Sequence, residues 1–103
     1  SFTGTLYGSA SQALNQFKDS TAAKGTACGI TAGGVPVPNC KYAQFTVTSG
    51  GQKLEKIYGA VPYSNGLAEV LAVVSYSDFQ SRAKQSAILG DFFAVVRGGL
   101  SNL

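Results

Sequence analysis

The sequence predicts an α+β domain in which an antiparallel sheet carries two helices on one face. Three observations lead there. Apolar and polar residues alternate with period two over residues 2–7 and 41–49, the mark of half-buried strands. Turn-forming clusters, Ser49-Gly50-Gly51-Gln52 and Pro62-Tyr63-Ser64-Asn65-Gly66, follow strand-like runs closely enough to make hairpins. Twice a serine is followed three residues later by glutamine, Ser9/Gln12 and Ser77/Gln80, the spacing of a helix capping box. With 103 residues, 45% of them apolar, the chain is long enough for one core, and residues 1–103 read as a single domain.

The first strand runs from Phe2 to Tyr7, where Phe2, Gly4 and Leu6 alternate with Thr3, Thr5 and Tyr7. Gly8-Ser9 breaks it, and Ala10, Ala13, Leu14 and Phe17 then share one face at helical spacing. This helix should end by Lys24-Gly25, with glycine supplying a left-handed terminal conformation. Residues 25–40 read as loop. Lys41 to Ser49 is the cleanest strand, and Gly50-Gly51 accepts the positive φ angles of a primed turn. Lys53 to Ala60 returns as a strand in which Leu54 and Ile57 fall out of phase, as an edge position or a bulge would allow. Leu67 to Tyr76 is apolar on both faces. A second helix is expected from Asp78 to about Leu89. Gly90-Asp91 then reads as a break, and the β-branched pair Val95-Val96 favours a final strand over 92–97. The competing reading is one helix continuing to Arg97, since Phe79, Ala83, Ala87 and Ala94 can share a helical face.

The resulting order, β-α-β-β-β-α-β, is close to two split β-α-β halves and implies a ferredoxin-like sandwich. A faint internal echo fits this: Tyr7 and Tyr76 each close a strand before a capped helix, and Gln16 and Gln85 each follow nine residues later. With both helices on one face, Val70, Ala72, Val74 and Tyr76 are left on the other. A two-fold homodimer is the simplest cover for them.

The chemical repertoire is narrow. The chain has no His, Met or Trp and only two cysteines, Cys28 and Cys40, which bracket a Gly/Pro-rich stretch. Without imidazole, most acid–base and metal sites are lost together, and two thiolates alone cannot complete a structural zinc site. Pairing of Cys28 with Cys40 would close a loop of about 13 residues, worth roughly 3 kcal/mol in the loop-entropy picture; two separate buried thiols are the competing reading. Charged residues make up only 13% of the chain, against roughly 25% in an ordinary soluble domain. Gly, Ser, Thr and Ala carry the surface instead, a flavour commoner outside the cell. Ser1 opens the chain as a processed mature protein would, although simple removal of an initiator Met would look the same, and no apolar run is long enough to span a bilayer. Secretion is therefore the expectation.

The net charge of +3 is uneven, +3 over residues 1–66 and zero over 67–103. It forms no dense basic stripe, so nucleic acid is not an expected partner. Ser81-Arg82-Ala83-Lys84 matches an S-x-x-K nucleophile motif, but its companion motifs are missing, and a solvated helix face accounts for it better. The glycines from Gly29 to Gly34 lead into Val35-Pro36-Val37-Pro38 rather than into a phosphate-binding helix. Glu55, set between Lys53 and Lys56, reads as surface charge balance, and no pair of carboxylates stands out for glycosidase chemistry. Five tyrosines suggest a sugar platform, although half-buried packing is their usual role. No catalytic residue, metal or cofactor is indicated. The remaining feature is the segment from Arg82 to Arg97. There Arg82, Lys84, Ile88, Leu89, Phe92, Phe93 and Arg97 combine basic and apolar character as a membrane or partner contact would; core packing is the ordinary alternative.

In element order, and as a small, Gly/Ser/Ala-rich, mildly basic chain, the sequence resembles the α/β-sandwich killer toxins of yeasts and smut fungi and the fungal effectors that share their fold. The resemblance covers most of the chain at the level of element order. It implies a secreted protein cut from a larger precursor that acts on competing fungal cells, in several members by damaging the target membrane; a target-cell surface receptor or the membrane is the partner expected here. The expectation is thus a secreted, non-enzymatic toxin or effector. The alternative is a structural or adhesive subunit of an extracellular assembly.

Overall fold

The computed structural model describes residues 1–101. Its elements are β1 (Phe2–Leu6), α1 (Ala10–Asp19), β2 (Thr26–Ala27), β3 (Thr31–Ala32), β4 (Val35–Pro36), β5 (Lys41–Ser49), β6 (Gln52–Tyr63), β7 (Gly66–Ser75) and α2 (Arg82–Ser101). Short 3-10 turns at Thr21–Lys24 and Ser77–Phe79 lie between them. The order β1-β7-β6-β5-β2 makes one antiparallel sheet, and β3 and β4 form a separate ribbon. The α+β class and the antiparallel sheet are those the sequence predicts.

Local chemistry explains the turns. Gly50 and Gly51 take φ angles of 59° and 79°, which lets β5 and β6 pair without a break from Lys41↔Ala60 to Ser49↔Gln52. The second hairpin turns at Ser64-Asn65, and Asn65 is tied to the end of β1. Its Nδ2 donates to the Tyr7 carbonyl at 2.9 Å, and the Tyr7 N–H donates to its carbonyl at 2.8 Å. At α1 the expected box forms with one change of partner. Ser9 Oγ accepts from the Gln12 N–H at 3.2 Å, while Gln12 Oε1 accepts from Gly8 rather than Ser9, at 2.8 Å.

The expected edge or bulge in the third long strand is not what makes Leu54 and Ile57 fall out of phase. β6 lies in the middle of the sheet, in unbroken register with both neighbours, and its two faces each meet apolar partners. Ile57, fully buried, faces one layer and Leu54 the other.

The helices do not share a face. Side chains alternate along β7, so Ala68, Val70, Ala72 and Val74 point one way and Leu67, Glu69, Leu71 and Val73 the other. The first set packs with Ile57, Val61, Phe92 and Val96 beneath α2. The second set begins at Leu67, which packs with Phe17, Ala22 and Ala60 beneath α1 and the following turn. Each face of β7 is apolar and each meets a helix of its own, although α1 reaches only the Leu67 end of its face. The proposed dimer face is therefore intramolecular core: Val70 is 4% exposed, and Ala72 and Val74 pack against the same cluster. Tyr76 lies just past the end of β7, half-buried, with Lys53 Nζ 5.2 Å from its ring centroid.

The final strand over 92–97 is not formed either. α2 is one helix through Gly90, Asp91 and Val95-Val96. Ile88, Phe92 and Val96 recur at i, i+4, with Leu89 and Phe93 beside them, and all face the core. That burial outweighs the β-propensity of two valines and the roughly 1 kcal/mol cost of a mid-helix glycine. The helix also starts later than expected. Ser77–Phe79 is a separate 3-10 turn, and the capping oxygen belongs to Ser81, which accepts from the Lys84 N–H at 3.1 Å. Gly25, finally, is not left-handed (φ −92°). It is required for space, since a Cβ there would lie 2.1 Å from the Tyr42 carbonyl oxygen.

Candidate functional site

Cys28 and Cys40 form a disulfide, with Cα atoms 5.4 Å apart. Both cysteines are buried in the layer under α2, beside Ile30 and Phe79, so the staple fastens the 28–40 loop directly to the core. The Gly-rich stretch inside it turns at Gly33 and Gly34 (φ 58° and 81°) to make the β3–β4 ribbon.

The basic and apolar members of the 82–97 segment are separated by the helix. Phe92 is 3% exposed, and Ile88, Leu89 and Phe93 are half-buried against the same cluster. Phe92 and Phe93 both pack on the Tyr42 ring. Arg82 and Lys84 are exposed, and Arg97 is half-buried. The Ser81–Lys84 motif is a helix cap, with Lys84 Nζ 3.8 Å from Asp78. These residues do not form one insertion surface, because the apolar ones serve the core.

Two carboxylates are placed where the sequence did not suggest. Glu55 is buried, 7% exposed, and accepts a 2.7 Å hydrogen bond from Thr46 Oγ1. Glu69 accepts from the Tyr58 hydroxyl on the opposite face. Burial first, and the bond to Glu69 second, push the Tyr58 hydroxyl well above the ordinary tyrosine value. Ser1, Thr3 and Leu71 line the same hollow as this pair, and Tyr7 lies close enough to act on Tyr58 electrostatically. Among the described residues no three His, Cys, Asp or Glu side chains converge as a metal would need. The tyrosines do not converge either: Tyr42 and Tyr63 pack in the α2 layer, Tyr7 and Tyr58 in the α1 layer.

What the fold exposes is half a sheet face. α1, with 10 residues, is only about 15 Å long and covers one end of its layer. At the other end the registers set Phe45, Lys56 and Val73 in one row across β5, β6 and β7. Val47 and Leu54 adjoin it on one side, Tyr58 and Leu71 on the other. Phe45, Leu71 and Val73 are 39%, 36% and 48% exposed. The alternation within each strand was readable; which alternate set would lack a helix was not.

Fold and surface together define a small disulfide-stapled α+β domain with one sheet face half open. Among its described residues no helix is long and apolar enough to cross a membrane. Comparison with known protein families, curated protein sequences and solved structures finds no match to this chain.

Proposed function

We propose that this chain is a small secreted protein without enzymatic activity that acts, as a toxin or effector, at the membrane surface of target cells. The observation that carries the reading is the open sheet face, where Phe45, Leu71 and Val73 surround Lys56 and the carboxylate of Glu69 is engaged by Tyr58. An aromatic and aliphatic patch with lysine at its centre suits a layer of anionic headgroups over an apolar interior. The disulfide supports an oxidising compartment, and the resemblance to killer toxins supports the target. The contact is assigned to this face instead of the 82–97 segment, whose Phe92 is occupied in the core.

Dye-loaded vesicles of phosphatidylcholine, with and without phosphatidylglycerol, test the membrane step, and growth of challenged yeast cells tests the outcome. Binding is expected on the anionic vesicles, weakened at least tenfold by Val73→Glu. Absence of both vesicle binding and growth arrest at micromolar protein would overturn the proposal.

A second reading, a subunit of an extracellular assembly, is favoured by the edge of β5. The Cys28 N–H donates to the Cys40 carbonyl at 2.9 Å, so the even-numbered residues of that strand turn their backbone groups outward. β2 pairs only with Lys41 and Tyr42, which leaves Gln44, Thr46 and Thr48 facing outward with no described strand beside them. Residues 42–50 contain no charge and no proline, the usual guards of an edge. Sedimentation separates the two readings: large ordered polymers support assembly, and a monomer or dimer supports the toxin or effector.

A further inference from the structure

The edge of β5 has no described strand beside it over Gln44–Thr48, and internal segments of the chain bound it. β2 and the staple close it at Lys41 and Tyr42, and the Gly50-Gly51 turn ends it after Ser49. Both ends of the described chain lie at the opposite edge of the sheet, with Ser1 bonded to Leu71 and Gly99 close against the Phe2 ring. Gln44, Thr46 and Thr48 are exposed and send their side chains to the α2 face. Phe45 and Val47 send theirs to the open half-face.

Thr46 is the middle of this edge, and antiparallel pairing of two copies about it engages every outward backbone group. Gln44 meets the partner's Thr48, Thr46 meets the partner's Thr46, and Thr48 meets the partner's Gln44, each pair exchanging two bonds. Moving the two-fold by one residue either way leaves two such pairs, since Tyr42 is already taken by Thr26 and Gly50 lies in the turn. The side chains match on both faces. Gln and Thr lie opposite Thr on one, and Phe45 falls beside the partner's Val47 on the other. Past Thr48, the partner's Ser49-Gly50 arrives over a hollow of about 330 Å³ formed by Lys24, Gly25, Thr26, Tyr42, Ala43 and Gln44, and Gly50 brings no side chain to it. Residues 42–52 carry no charge, so two copies of a chain of net charge +3 meet there without opposing like charges.

We propose that the protein forms a closed two-fold homodimer by pairing β5 with β5 of a second copy, in the register that sets Thr46 opposite itself. The pairing uses up this edge on both copies, so it ends at two chains and does not grow into a filament. The segment Gln44–Thr48 is far shorter than the roughly 20–30 residues a side of a standard interface, so the dimer is weak and reversible. On the open side the two half-faces run together, with Lys56 of both copies in one surface. That consequence bears on the membrane contact proposed above; the dimer itself does not depend on it.

Sedimentation equilibrium in lipid-free buffer should show a monomer–dimer equilibrium between micromolar and millimolar protein. Over the same range, NMR hydrogen exchange should slow at the amides of Gln44, Thr46 and Thr48, and change far less at Phe45 and Val47, which are already bonded to β6. Two double variants at exposed positions test the register. Gln44→Glu with Thr48→Lys sets opposite charges across the two-fold. Gln44→Glu with Thr48→Glu sets like charges there, although it lowers the net charge from +3 by two, to +1. The first should dimerise at least tenfold more tightly than the second. A monomer at millimolar concentration, growth beyond the dimer, protection that leaves those three amides open, or equal association of the two variants would each overturn the proposal.

Discussion

The ring of Phe92 lies against the backbone of Gly59, so closely that a Cβ at position 59 would stand 2.7 Å from its Cζ. This contact joins the middle of the central strand to the middle of the long helix, and Tyr42 and Phe93 pack around it. Phe92 is almost fully buried, so its ring has nowhere to retreat. Gly59→Ala should therefore cost about 1–3 kcal/mol through overpacking, and Phe92→Ala about 3–5 kcal/mol through the cavity it leaves. Urea denaturation of the two variants checks both values. A neutral Gly59→Ala would show that α2 sits further from β6 than described.

The two faces of β7 respond differently to charge. Val70→Lys places an ammonium under α2, where Val70 is 4% exposed, and should unfold the protein or lower its melting temperature steeply. Val73→Lys lies on the open half-face, 48% exposed, and should leave stability within about 0.5 kcal/mol. Circular dichroism melts of the pair decide the matter, and a folded, monomeric Val70→Lys variant would restore the idea of a dimer face.

The disulfide closes a short loop onto the core. Cys40→Ser should lower stability by roughly 2–4 kcal/mol. In the unreduced wild type neither thiol should react with iodoacetamide, even in denaturant. Full labelling without reductant would show free thiols and remove the argument for an oxidising compartment.

Tyr58 links stability to alkaline pH. In the folded state its hydroxyl is held protonated well above the ordinary value, by burial and by the bond to Glu69. In the unfolded chain it ionises near pH 10. The folded state thus gains from neutral Tyr58 fully below about pH 10, and loses that gain as pH rises above it. Urea midpoints measured from about pH 8 to 11.5 should fall less steeply for Tyr58→Phe than for wild type. Parallel curves would mean that the Glu69 contact does not hold the proton.

Several elements were legible because their signals are local. The alternation in 2–7 and 41–49, Ser9 with Gln12, and Gly50-Gly51 each act within one turn or one strand, and each forms where the sequence places it. Residues 81–84 of the S-x-x-K motif lie exposed at the start of α2, as a solvated helix face requires, with Ser81 as the cap. Misreadings arose where a residue has two uses. Ser77 and Ser81 can both cap a helix, and the core under Phe79 selected Ser81. Glu55 sits between two lysines in sequence, yet pleating sends it to the opposite face from Lys56, against Thr46.

By itself the sequence determined an α+β chain with a meander of long strands, a capped first helix and two cysteines spaced to close a loop. Only the tertiary structure decided that β6 is central, that the two helices take opposite faces, and that 92–97 continues α2. The physical reason is common to all three. A two-sided apolar strand such as 67–75 states that both faces need cover, and nothing in one strand says what will supply it. The pull of that uncovered face made Val95-Val96 helical, because a 20-residue helix buries Phe92 and Val96 together, and a strand would have turned alternate residues back to water.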